Sequence, residues 1–190
     1  MKHIDKFILK SKMEDHGIEP FELVFQDGLN LIVGENGCGK STLLYLLTHN
    51  EYRKENTDSE INVTDENNEV GFYLFDAEKD NPRAKESVEY SKNIEWDLMS
   101  RFLSHGETLL PMIKAITQPE NSIILLDEPE SGISLGNQKK TLGYINQAVE
   151  NNNQIIIATH SYILIKNTPK VYDMTRGKWV KSSTYLKQFE

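Results

Sequence analysis

The sequence predicts an α/β fold with a mostly parallel core sheet flanked by helices. Three observations carry this expectation. Residues 29–33 (LNLIV), 122–126 (SIILL) and 154–159 (QIIIAT) are short, nearly continuous apolar runs, the pattern of strands buried on both faces. Stretches with helical spacing lie between or beside them, at 40–49, 106–118 and 134–151. A glycine-rich turn joins the first strand to the first helix. Strands alternating with helices pack as a parallel sheet between helical layers.

Taken in order, residues 21–25 (FELVF) and 29–33 flank Asp27-Gly28, a turn signal that predicts a hairpin and an antiparallel N-terminal β part. A helix follows over 40–49. Residues 51–69 are polar and rich in turn formers, and read as a helix end followed by a loop or small surface hairpin. Residues 70–75 (VGFYLF) are strand-like. Residues 83–103 are mostly helical in pattern, with Val88, Ile94, Trp96, Leu98, Met99 and Phe102 as apolar positions. The helix over 106–118 begins beside a serine and carries Pro111 near its first turns. Residues 171–182 suggest a last hairpin around Arg176-Gly177. One domain over 1–190 is expected, with residues of approximately 79–118 forming a short helical arm.

Composition excludes several classes. Lys and Arg number 21 against 29 Asp and Glu, a net charge of −8, which argues against nucleic-acid binding by charge alone. The densest basic residues, Lys139, Lys140, Lys166, Lys170, Arg176, Lys178 and Lys181, read as a solvated face, so direct DNA binding is not assigned. A single cysteine, Cys38, excludes an intramolecular disulfide framework. No apolar run approaches the roughly 20 residues of a membrane span, and the N-terminus does not read as a signal peptide. A cytoplasmic protein is the expectation.

Two motifs carry chemistry. Gly34-Glu35-Asn36-Gly37-Cys38-Gly39-Lys40-Ser41 matches G-x-x-x-x-G-K-[ST] in full, between a predicted strand and a predicted helix. Its glycines admit backbone N–H groups to phosphate oxygens, Lys40 reaches the outer phosphates, and Ser41 is placed to ligate Mg²⁺. Asn36, Gly37, Cys38, Gly39 and Thr42 complete the predicted cradle, with Cys38 read as a small filler. The second motif is Asp127-Glu128-Pro129-Glu130 at the end of an apolar strand. Asp127 suits the Mg²⁺ shell, and Glu128 suits a general base that polarises the attacking water. ATP and Mg²⁺ are the expected substrate and metal.

At these residues the sequence resembles the ATP-binding cassette ATPases, over residues of about 21–170. Leu103-Ser104-His105-Gly106-Glu107 resembles the signature L-S-G-G-Q/E, with histidine for the first glycine. Ser131-Gly132-Ile133-Ser134 stands where the D-loop belongs, and Thr159-His160-Ser161 resembles the switch-histidine segment. Small soluble AAA-type members related to RecF and SMC proteins are the nearest in pattern. The resemblance implies a head-to-tail homodimer in which Ser104, Gly106 and Glu107 close over the nucleotide of the opposite subunit. It implies that His160 senses the γ-phosphate and orients Glu128. The chain departs from transporter members in having no Gln between Gln26 and Gln118. Glu78, in Phe75-Asp76-Ala77-Glu78, stands where that Q-loop glutamine would approach the metal. Phe21, Phe25 and Tyr45 are aromatic and nearby, but read as core, so no adenine-stacking residue is assigned.

The function expected is Mg²⁺-dependent ATP hydrolysis by an ATP-sandwiched dimer, driving a separate DNA-maintenance, nucleic-acid-processing or defence-type effector. The alternatives are the ATP-binding subunit of a membrane transporter and a nucleotide-gated scaffold with slow hydrolysis. A P-loop kinase would account for the phosphate loop but not for the other motifs in order.

Overall fold

The computed structural model describes residues 3–64, 72–77, 80 and 105–189. Nine strands form two sheets among these residues. The smaller is antiparallel, in the order β2-β1-β4, from β1 (His3–Leu9), β2 (Phe21–Val24) and β4 (Ser59–Thr64). The larger has the order β5-β6-β7-β3-β8-β9. Its strands are β3 (Leu29–Val33), β5 (Phe72–Asp76), β6 (Ile123–Asp127), β7 (Gln154–Ala158), β8 (Lys170–Asp173) and β9 (Lys178–Lys181). Every neighbouring pair in it is parallel except β8–β9, the predicted tail hairpin.

The apolar runs form the middle of the large sheet because both of its faces are covered. Ile32, Ile123, Leu125, Ile156 and Ala158 point to one face. There they pack with Leu43, Leu44 and Leu47 of α1 (Lys40–Thr48) and with Ile4, Phe7 and Leu23 of the small sheet. Leu31, Val33, Ile124, Leu126, Ile155 and Ile157 point to the other face. They meet α3 (His105–Ile116), α4 (Leu135–Glu150) and α5 (Tyr162–Lys166). The alternation is the two-residue period of a strand, with both phases apolar. Each such buried Leu or Ile contributes about 1.5–3 kcal/mol relative to exposure.

Three buried amides fasten the layers. Gln154 Oε1 accepts the Ile4 N–H at 2.8 Å, and its Nε2 donates to the carbonyls of Ile4 at 3.0 Å and Gln26 at 3.3 Å. The small sheet is thereby tied to the start of β7. Asn30 exchanges two bonds of 2.8 Å with the backbone of Gln26. Asn153 accepts from Ser122 N–H at 2.8 Å and donates to Pro119 and Ala148 carbonyls. An unmade partner at such buried sites costs on the order of 1–3 kcal/mol.

Two expectations need correction. The Asp27-Gly28 turn is present, with Gly28 at φ 70°, but it joins no hairpin. β2 pairs with β1, whereas β3 pairs with β7 and β8, so the turn passes the chain from one sheet to the other. Within 51–69, the segment after α2 (Asn50–Asn56) is a paired strand rather than a loop or a local hairpin: β4 runs antiparallel to β1. Pro111 lies in the second turn of α3, near the helix start as expected. The arm helix predicted over 83–103 lies outside the described residues.

Candidate active site

Because β3, β5, β6 and β7 are parallel, their C-terminal ends share one edge, where ligands of open α/β sheets bind. The register sets Ile32 beside Ala158, Ala158 beside Asp127, and Asp127 beside Asp76. Residues 34–41, 127–130 and 159–161 therefore leave the sheet side by side.

The glycine loop is shaped by close approach. Gly39 caps α1 in a left-handed conformation, φ 98°, and a Cβ there would lie 2.5 Å from Ile18 Cδ1. A Cβ on Gly34 would lie 2.7 Å from Cys38 Sγ and 2.9 Å from Thr175 Oγ1, the hydroxyl that accepts the Glu35 N–H. Lys40 is buried, and its ammonium donates to the carbonyls of Gly34 at 3.3 Å and Glu35 at 3.1 Å. The N–H groups of the first turn of α1 have no earlier helical carbonyl to bond, so they are free to bind an anion.

Ser41 Oγ donates to Asp127 Oδ1 at 3.1 Å, joining the two motifs. Both are hard oxygen donors. They fit Mg²⁺, which takes one or two protein oxygens and completes its octahedron with water and phosphate oxygens. Among the described residues no cluster of three or more His, Cys, Asp or Glu side chains is set to hold a metal. Asp76 lines the same recess as Ser41, Tyr45, Asp127 and Glu128.

Glu128 adopts φ 46°, a left-handed conformation that costs a non-glycine residue about 1–2 kcal/mol. Its N–H is held by the Ala158 carbonyl at 2.9 Å. Its Oε1 stands 3.8 Å from His160 Nε2, and the two side chains are 40% and 39% exposed. Burial pushes the His160 imidazole below the ordinary histidine range. The Lys40 ammonium adds to this, and the Glu128 carboxylate opposes it. At neutral pH the imidazole is therefore largely uncharged. The His160 N–H donates to Glu130 Oε1 at 2.6 Å. Burial raises the Glu130 carboxyl against the pull of Thr159 and of that N–H.

Of the residues predicted from sequence, Asn36, Gly37, Lys40, Thr42, Glu128 and His160 line one open cleft, together with Gly39 and Ser41. Cys38 does not line this cleft; its Sγ stands close to Gly34, half-buried. Gly106 and Glu107 are in the first turn of α3. Ser104 and Glu78 lie outside the described residues. Phe25 is buried, Phe21 packs on Phe7, and Tyr45 stacks on His49. Sequence reasoning passed over Asp76, Glu130 and His16, the last of which lines the same cleft from the 3₁₀ turn Glu14–His16. The position of Asp76 at a strand end beside a motif carboxylate was a usable signal. A single exposed histidine far upstream offered none.

A cradle of N–H groups with a buried ammonium can bind phosphates. A carboxylate beside a neutral imidazole can accept a proton from water. The charges make a directional prediction for His160, readable as the NMR titration of its imidazole. Its midpoint should fall below 6.5, the ordinary histidine value. Lys40→Ala should raise that midpoint, and Glu128→Gln should lower it further. Shifts of the same sign in both variants, or a midpoint above 6.5 in the parent, contradict the arrangement.

A family model described as an AAA domain matches residues 15–190. No curated protein matches the chain. Among solved structures, one similar chain belongs to an inward-facing form described as a metal-chelate type ABC transporter. It is 20% identical, with 97% of this chain and 86% of that chain covered and a TM-score of 0.58. Another is the ADP conformation of an ATP-binding cassette of an ABC transporter, 18% identical, with 94% and 90% covered and a TM-score of 0.59. At these identities the two structures speak for the fold, a P-loop NTPase of ABC type, as the sequence predicted. The chain belongs to the AAA-domain family, which the family model shows over residues 15–190.

Proposed function

We propose that the chain hydrolyses ATP to ADP and phosphate with Mg²⁺, as an ATP-bridged head-to-tail pair. The observation that carries the reading is the bond between Ser41 and Asp127, which brings the metal donors of both motifs beside Lys40 and Glu128. Mg²⁺ would be held by Ser41 and Asp127, with Glu78 as a further candidate from sequence, and when bound it neutralises charge on the phosphates. The loop N–H groups and Lys40 hold the phosphates. Glu128 takes the proton of the attacking water as its oxygen bonds to the γ-phosphorus and the bond to the ADP oxygen breaks. Neutral His160 donates a hydrogen bond to the γ-phosphate and keeps Glu128 oriented.

The pairing rests on the signature resemblance, with Ser104, Gly106 and Glu107 acting on the nucleotide of the opposite copy. The reading includes one domain over 1–190 with a helical arm at approximately 79–118, as expected from sequence, and a partner protein coupled to the cycle. Both solved relatives described above carry transporter descriptions. That similarity favours a membrane transport partner over the DNA-maintenance or defence effector expected from sequence. No helix among the described residues is long and apolar enough to cross a membrane, so the spans of such an assembly would lie outside them.

Light scattering and turnover on one variant test the core of this reading. Glu128→Gln should lower kcat by roughly 10²–10⁴-fold while keeping ATP affinity. With MgATP it should run at twice the monomer mass, and adding Ser104→Arg should return it to the monomer. A variant that binds ATP yet stays monomeric contradicts the pairing. On the transport reading the native protein sediments with membranes and is released by detergent, whereas a protein found only in the supernatant contradicts that partner.

A further inference from the structure

Glu130 is an acidic side chain that the hydrolytic scheme leaves without a part. It stands two residues beyond Glu128, on the turn after β6, and its carboxyl crosses to the end of the neighbouring strand β7. After Ala158 the chain must turn within three residues into α5. Each N–H of that turn has one partner. Thr159 N–H goes to the Ile32 carbonyl at 3.1 Å, and Ser161 N–H goes to Thr159 Oγ1 at 2.9 Å. The middle N–H, that of His160, goes to Glu130 Oε1 at 2.6 Å, a charge-assisted bond when the carboxyl is ionised. The far end of the turn is anchored separately. Ser161 Oγ caps α5 by accepting the Leu164 N–H at 3.2 Å, and it donates to Gln138 Oε1 on α4 at 2.8 Å.

Two straps therefore join the turn after β6 to the end of β7. One runs from Glu128 N–H to the Ala158 carbonyl at 2.9 Å. The other runs from His160 N–H to the Glu130 carboxyl. Between them they fix the main chain on both sides of the 3.8 Å approach of Glu128 Oε1 to His160 Nε2. The carboxyl is held by the His160 N–H and stabilised by the Thr159 hydroxyl beside it, while its buried Oε2 makes no bond of good geometry among the described residues.

We propose that Glu130 is a positioning residue for ATP hydrolysis: through the backbone N–H of His160 it sets the imidazole against the Glu128 carboxylate. The inference rests on the roles given above to Glu128 and His160. It also explains why glutamine should serve in its place. After Glu130→Gln the side-chain carbonyl can accept the His160 N–H and the amide can donate to Thr159 Oγ1, whereas alanine can do neither.

Steady-state ATPase kinetics and equilibrium ATP binding on the full chain test this, with a double-variant cycle. Glu130→Ala should lower kcat roughly ten- to hundredfold, with KM and ATP affinity within about twofold of the parent. Glu130→Gln should recover most of that loss. Glu130→Ala placed on His160→Ala should lower kcat no further than His160→Ala alone. Glu130→Asp keeps the charge but withdraws the acceptor by one methylene, and is read in the same way should the alanine variant fail to fold. If His160→Ala is slow but both Glu130→Ala and Glu130→Asp turn over like the parent, the positioning role is overturned and the hydrolytic reading stands. Multiplicative losses in the double variant also overturn it, as does loss of ATP binding together with turnover. A His160→Ala variant with the parent's kcat overturns both the role of His160 and this inference.

Discussion

The parallel registration of β3, β7, β6 and β5 is the constraint on which the rest depends. Parallel strands end together, so three loops distant in sequence meet at one edge without further adjustment. Ser41 and Asp127, 86 residues apart, then come within a hydrogen bond of each other. A one-residue slip of β6 against β7 would turn Asp127 to the opposite face and separate it from Ser41. The core and the site are therefore specified by the same pairing: the apolar residues that hold the register are the ones that aim the carboxylates.

Burial on both faces makes that register firm, and the buried amides of Gln154, Asn30 and Asn153 close the places where sheets and loops meet. Against this firm ground the site carries local costs. Glu128 is held left-handed, and the Glu130 carboxyl is held largely buried, with Oε2 making no bond of good geometry among the described residues. Each cost lies within three residues of the end of β6, where the chain leaves the sheet for the site. A rigid scaffold that over-determines a strained turn is how such conformations persist.

The middle of the fold was legible because strands buried on both faces leave continuous apolar runs, and because the phosphate loop is a contiguous motif in a strand–helix setting. The edges were less so. β1 escaped notice because a bulge between Ile4 and Lys6 breaks its alternation, leaving the buried residues Ile4 and Phe7 three apart instead of two. Asp27-Gly28 signalled a turn correctly, but a turn signal does not say which strand each arm will pair with, and here the arms went to different sheets. In the site, Lys40, Ser41, Asp127, Glu128 and His160 could be read because each sits in a local pattern. Glu130 was in plain view within its motif, yet its partner is a backbone N–H 30 residues away that only the folded register brings near. His16 and Asp76 were likewise matters of tertiary placement.

The central claim is that the metal donors of the two motifs act as one site. The most direct measurement is calorimetric binding of ATP to Asp127→Asn and to the parent, each with and without Mg²⁺. The account predicts that Mg²⁺ tightens ATP binding to the parent, and that this tightening is lost in Asp127→Asn while metal-free ATP binding remains. An Asp127→Asn chain whose ATP affinity responds to Mg²⁺ as the parent's does would contradict it.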